Sequence, residues 1–187
     1  MPAFARAILL AAVAASLVVH GGTGARAADL PDRLAGNARL SKFYQLINRA
    51  GLIGWLHSNS GLTVFAPTNR AFAVAPASIR AVIRPRRGAD LRALRVRLQQ
   101  LVRGHVLTVT LPPSVLIGQR RTFTAADGAQ RIIDGTEAGV IAISAVPSAG
   151  PARTGVAKRP SRPAYVFGRT IAADNGIIYP IDRVLAD

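Results

Sequence analysis

The chain has 187 residues, 24 Lys+Arg against 9 Asp+Glu, a formal net charge of +15 and no cysteine. Without thiols there is no disulfide framework, thiolate metal site, cysteine nucleophile or lipidated N-terminal cysteine. The charge favours anionic partners, whether polysaccharide, lipid headgroups or nucleic acid; yet Lys42 and Lys158 are the only lysines in a chain rich in Ala, Gly and Pro, so the arginine content reads either as a ligand preference or as a compositional bias.

Residues 1–27 have the pattern of an export leader. Arg6 supplies a positive start, Ala7 to Val19 is an almost unbroken apolar run, and Ala25-Arg26-Ala27 places small residues where a signal peptidase cuts. The run falls short of the roughly 20 apolar residues of a membrane span, so a cleaved signal peptide is expected rather than an anchor. No second apolar stretch of that length occurs, which predicts a periplasmic or extracellular protein with no transmembrane segment after cleavage. Removing 27 of the 187 residues leaves 160, a single-domain size, and removing Arg6 and Arg26 lowers the formal charge from +15 to +13. Residues 28–37 read as an N-terminal linker.

Helices come first. Leu40, Phe43, Leu46, Ile47 and Ala50 recur at helical spacing behind Ser41, with Gly51 as the stop. Leu52 to Leu56 supports a second helical turn that carries Trp55, the only tryptophan, assigned to the core. Leu62 to Ala66 is β-branched and aromatic, bounded by Gly61 and Pro67, and predicts a short buried strand. Residues 80–103 hold eight arginines and one aspartate; Pro85 and Gly88 break the first part into a loop, and Asp90 is a fair N-cap for a helix starting at Leu91. Leu91, Leu94, Leu98, Leu101 and Val102 share one face of that helix, Arg92, Arg95 and Arg103 line the other with Gln99 between them, and Gly104 ends it. This arginine stripe reads as a solvated face or as an anion-binding one.

The second half alternates with strand period. His105 to Leu111 is one expected strand; Thr122 to Ala125 and Arg131 to Ile133 flank the Asp127-Gly128 turn; Gly139 to Val146, Ala164 to Ala172 and Ile177 to Leu185 complete the set. Pro180 argues that the last strand lies at an edge or carries a bulge. Helices followed by strands predict an α+β domain. Between Ser144 and Pro163 the chain is rich in Pro, Ser and Gly, carries Arg153, Lys158, Arg159 and Arg162 without an acid, and is expected to be a mobile loop that offers a second place for anion contact.

Three stretches carry a resemblance to the fasciclin domain family. LTVFAPTNRAF, residues 62–72, resembles that family's strand, Ala-Pro-Thr-Asn turn and aromatic-opened helix; RGHVL, residues 103–107, resembles its helix-to-strand motif with a His-Val pair; NGIIYPIDRVL, residues 175–185, resembles its C-terminal strand with Asn-Gly ahead of an Ile-Asp pair. The resemblance spans residues 38–187 as a single domain and implies N-terminal helices packed on a sandwich or wedge of short, mostly antiparallel strands. Phe65, Pro67, Thr68, Asn69, Phe72, His105, Asn175, Gly176 and Asp182 are then fold-building residues. Pro67 ends the strand, Thr68 or Asn69 caps the next helix, and Phe65 and Phe72 point into the core. His105, after a helix end, reads as a structural histidine bonded to nearby backbone, and His57 as a surface residue.

The resemblance further implies an exported module that adheres to cells, matrix proteins or glycans without a cofactor. The Tyr-His pair through which some animal members bind integrins has no match here. A second reading is a basic binder of anionic polysaccharide or lipid through Arg92, Arg95 and Arg103 with the 144–163 loop. Catalysis is not expected: there is no G-x-S-x-G elbow, no phosphate-cradling glycine loop and no paired-histidine metal spacing, and one Glu and eight Asp are scattered between loops and termini. Sequence-specific nucleic-acid reading is not expected either, for want of a reading motif.

Overall fold

The computed structural model describes residues 28–146 and 162–185. The expected leader, and Arg153, Lys158 and Arg159 of the expected basic loop, lie outside the described residues.

The first element overturns the linker reading of residues 28–37. Helix α1, Leu30–Ala35, starts at Asp29, whose side chain accepts the Asp32 N–H at 3.1 Å, and has Pro31 in its first turn, where a missing N–H costs nothing. Leu30 and Leu34, one turn apart, are completely buried against α2, α3 and the final strands. Six residues are too few for a free-standing helix, so tertiary burial holds it.

A single 3-10 turn, Ala38–Leu40, leads into α2, Ser41–Ala50, which buries Phe43, Leu46, Ile47 and Ala50. Gly51, at φ 71°, ends α2: its N–H reaches the Asn48 carbonyl at 2.9 Å and the Leu52 N–H reaches Ile47 at 3.0 Å. Helix α3, Ile53–Ser58, precedes strand β1, Leu62–Pro67, in which all six residues are buried. Next come α4, Asn69–Ala73, and α5, Ala77–Ile83, so the loop expected from residue 80 begins only after Ile83. Helix α6, Leu91–Arg103, is capped by Asp90, whose carboxylate accepts the N–H groups of Arg92 and Ala93. Leu91, placed on the apolar face by its spacing, is 76% exposed because the first turn of α6 projects past the core.

Strands β2, Val106–Leu107, β1, β8, Gly176–Ile181, and β7, Ile171–Ala173, form one sheet in the order β2-β1-β8-β7. The second sheet runs β3-β4-β5-β6, from Arg120–Thr124, Gln130–Asp134, Ala142–Ala145 and Ala164–Tyr165, with the short α7, Pro113–Leu116, ahead of it. All pairings are antiparallel except β1 with β8, where Val64 faces Ile178 and Phe65 faces Tyr179. That parallel pair is covered on both sides, which is why β1 and β8 are apolar almost throughout. Alternation sends Val64 and Ile178 into a core with Phe43, Ile47, Leu98 and Val102, and sends Phe65, Tyr179 and Ile181 into a second core with Ile133 and Ile143. Helices, first sheet and second sheet therefore stack as three layers, an α+β domain.

Three strand readings need correction, the last being the edge or bulge expected at Pro180. The 105–111 segment pairs only at Val106 and Leu107; beyond them the Thr63 hydroxyl donates to Val109 O at 2.6 Å and accepts the Leu111 N–H at 2.9 Å, so a side chain replaces the ladder. The 164–172 segment divides between the two sheets, with Gly168 at φ 96° between β6 and β7. Pro180 sits in an interior strand. The polar backbone groups of one strand residue face the same side, and the Pro180 carbonyl accepts from Phe167 N–H at 2.7 Å, on the side where β7 has already ended at Ile171; the missing N–H is thus turned away from β1.

Candidate functional site

The residues that carry the family resemblance converge on backbone groups. Thr68 caps α4, its hydroxyl accepting the Ala71 N–H at 3.4 Å. Asn69 is not a cap of α4. Its Oδ1 accepts the Lys42 N–H at 3.0 Å in the first turn of α2, and its Nδ2 donates to Ala38 O at 2.8 Å and Ser41 Oγ at 3.1 Å. Asn69 thus fills the N-terminus of a helix that has no local side-chain cap, from 27 residues away. Phe65 and Phe72 are buried, and Pro67 closes β1.

At the other end of the chain, Asn175 donates through Nδ2 to Leu56 O at 2.7 Å and Asn59 O at 3.0 Å and accepts the Leu30 N–H at 2.9 Å, tying α1 and the end of α3 to β8. Gly176 lets the β8 backbone approach β1, since a Cβ there would collide with the Leu62 carbonyl oxygen. Asp182 accepts the Tyr165 N–H at 2.7 Å and returns its own N–H to Tyr165 O at 3.0 Å, fastening β6 to the end of β8.

His105 is buried at 1% exposure, beside the Phe43 ring with centroids 5.6 Å apart. Nε2 accepts the Leu185 N–H at 3.0 Å, and Nδ1 lies 2.7 Å from the Leu101 carbonyl, which can only accept. The proton therefore sits on Nδ1, and the ring joins the last turn of α6 to the C-terminal segment. His57, read as an ordinary surface residue, pairs through Nδ1 with Asp29.

The arginine stripe faces solvent only in part. Arg92 and Arg95 are exposed, and Gln99 and Arg103 are half-buried. Arg95 and Gln99, four residues apart, donate through Nε and Nε2 to the Ala50 carbonyl at 3.4 and 3.0 Å, serving the C-terminus of α2, where orphan carbonyls and the helix dipole attract a cation. Arg103, a further turn on, lies over the Trp55 ring at 5.8 Å, with a buried Nε that makes no hydrogen bond. The sequence pattern placed these residues opposite the leucine face; the packing of α6 beside α2 turned their edge towards the α2–α3 junction. Of the loop residues, Arg162 is described and exposed.

Sequence reasoning passed over three buried polar residues. The Tyr179 hydroxyl donates to Leu111 O at 2.6 Å, and burial pushes its phenol up to about 12. Thr63 substitutes for the β1–β2 ladder. Arg131, 2% exposed, donates from Nε to Gly104 O at 3.2 Å and lies 3.7 Å from Asp127 across the β3–β4 turn. Arg131 shares a strand face with Ile133, and the acid four residues before it was the available signal. Also unanticipated is a cleft of about 480 Å³ between α2 and α5 whose rim is basic. Among the described residues, no group of three or more His, Asp or Glu is gathered so as to hold a metal ion, and no helix is long and apolar enough to cross a membrane.

Comparison with known proteins agrees with this architecture. The chain is similar to the solved FAS1 domain pair from the insect cell adhesion molecule Fasciclin I, with 19% identity and a TM-score of 0.54 over 79% of this chain and 45% of that one. It thus spans about half of the insect structure, and at this identity the likeness speaks to fold. No curated protein matches. The Fasciclin domain family, in contrast, matches residues 38–187, the same span over which Asn69, His105, Asn175 and Asp182 knit the helices to the sheets, and the chain belongs to that family.

Proposed function

We propose that this chain is an exported, non-catalytic interaction module that mediates cell-surface or matrix adhesion by binding a protein or a glycan. Family membership carries the reading. The use made of its chemistry-bearing side chains supports it. Asn69, His105, Asn175 and Asp182 would be the orienting groups, acid or base of a small enzyme, and each is bonded to backbone that holds the fold. What remains at the surface is largely cationic, with single apolar residues such as Val74, Ile117 and Phe167.

The second reading, a binder of anionic polysaccharide or lipid headgroups, is supported by the excess of basic residues. Arg92, Arg95 and Arg162 are exposed to serve it, Arg95 while also donating to Ala50 O, whereas Arg103 is half-buried over the Trp55 ring. A pull-down of the purified chain against envelope fractions of its source, at low and physiological salt, separates the two. Adhesion predicts retention of one protein or glycan at physiological salt. Broad retention that vanishes with salt would show charge alone and would remove the adhesion reading.

A further inference from the structure

We propose that the cleft between α2 and α5 is a binding site for an organic phosphate ester, with the phosphate on its basic rim and the apolar body on its floor. The two helices build it by simple periodicity. Lys42, Gln45 and Arg49 stand at positions i, i+3 and i+7 along the exposed face of α2, and Arg80 and Arg84 stand one turn apart on α5 and its C-cap; all five line the cleft. Arg49 also fixes the distance between the helices, because its Nη1 donates to Ile83 O at 2.8 Å. The floor is Leu46, Phe72 and Ile83.

The composition of the cleft selects the ligand. Four cations and no acid line it, a charge that one carboxylate would leave largely uncompensated and that a phosphate monoester, with about −1.5 to −2 at neutral pH, meets better. Guanidinium groups also match the oxygens of phosphate in a fork. Gln45 is the one uncharged polar side chain among the lining residues, and neither Trp nor Tyr is among them. A sugar ring would find few partners for its hydroxyls and no indole or phenol to stack on, whereas an alkyl or aryl group fits the floor. The volume of about 480 Å³ lies within the range of small-molecule sites, roughly 300–1,000 Å³. The adhesion reading neither requires nor supplies this site.

A phospholipid headgroup and a free aryl or alkyl phosphate share this chemistry, and calorimetric titration of the purified chain tells them apart. The probes are phenyl phosphate, dihexanoyl phosphatidic acid below its aggregation concentration, and inorganic phosphate. Both esters should bind more tightly than inorganic phosphate; a preference for the lipid identifies a headgroup and a preference for phenyl phosphate a soluble ester, and either supports the site. In Arg80→Gln/Arg84→Gln, ester affinity should fall by about tenfold or more, the scale of a charge-assisted hydrogen bond, while Arg97→Gln/Arg121→Gln, of equal charge and outside the cleft, keeps it within about twofold. Circular dichroism confirms that both variants fold. Equal losses in the two variants, equal binding of inorganic phosphate, or tighter binding of a sulfated oligosaccharide would each overturn the proposal.

Discussion

Asn69→Ala removes a helix cap supplied from another part of the chain, and the structure sets its size. The side chain makes two backbone hydrogen bonds, Lys42 N–H to Oδ1 at 3.0 Å and Nδ2 to Ala38 O at 2.8 Å, with a weaker contact to the Ser41 hydroxyl. A helix cap contributes about 0.5–2 kcal/mol and a further hydrogen bond about 1 kcal/mol, so a loss of about 2 kcal/mol is expected. In a domain of this size that lowers Tm by roughly 4–8 °C. Thr68→Ala deletes one 3.4 Å bond and should cost about 0.5 kcal/mol, the low end for a cap. Asn69→Asp keeps the acceptor and adds a charge favourable at the α2 N-terminus but loses both donors, so it should fall between them. Trp55, the single tryptophan, reports unfolding by fluorescence in urea from within the helical layer, and thermal melts provide the second readout. If Asn69→Ala is no less stable than Thr68→Ala, the long-range cap contributes nothing and the reasoning fails.

Gly176→Ala should destabilise by about 1–3 kcal/mol in the same urea titration, because its Cβ meets the fixed backbone of Leu62 and β8 must move away from β1; a parent-like midpoint would mean the strands are less closely held. The Tyr179 phenol is raised by burial from 10.0 to about 12. The folded state therefore prefers the neutral form, and this contribution is full below pH 10 and lost as the pH rises towards 12. Tyr179→Phe should flatten the fall in stability over that window, and an unchanged alkaline slope would count against the buried phenol as its source. Gln99→Ala should cost about 0.5–1.5 kcal/mol by removing a donor from the Ala50 carbonyl, although charge is unchanged. Stability equal to the parent would return the 95–103 edge of α6 to the role of a plain solvated face.

Much of the fold was legible in local pattern. Leu40 to Ala50 ending at Gly51, Leu62 to Pro67, and the Asp127-Gly128 hairpin appear where periodicity and turn chemistry put them, since each depends on neighbours within one turn or one strand. The errors have a common form. Leu30 and Leu34 in six residues give too little periodicity to mark a helix, and β6 and β7 look like one strand because nothing local says they join different sheets. The partners that Arg95 and Arg103 find within the fold were hidden for the same reason. Arg95 and Arg103 are cations at exposed spacing, and only the position of α6 beside α2 and α3 gives them a carbonyl and an indole to satisfy.

The sequence by itself determined the class of the domain, its helix-then-strand order and its family signature, because periodicity, caps and turn residues act over a few residues. Tertiary structure alone decided what the signature residues do. Asn69 reaches α2, Asn175 reaches α1 and α3, and His105 reaches the C-terminal segment 80 residues away. It also decided which basic residues stand together, since Lys42 and Arg49 face Arg80 and Arg84 across the cleft that the Arg49–Ile83 hydrogen bond spans, a juxtaposition that no spacing along the chain encodes.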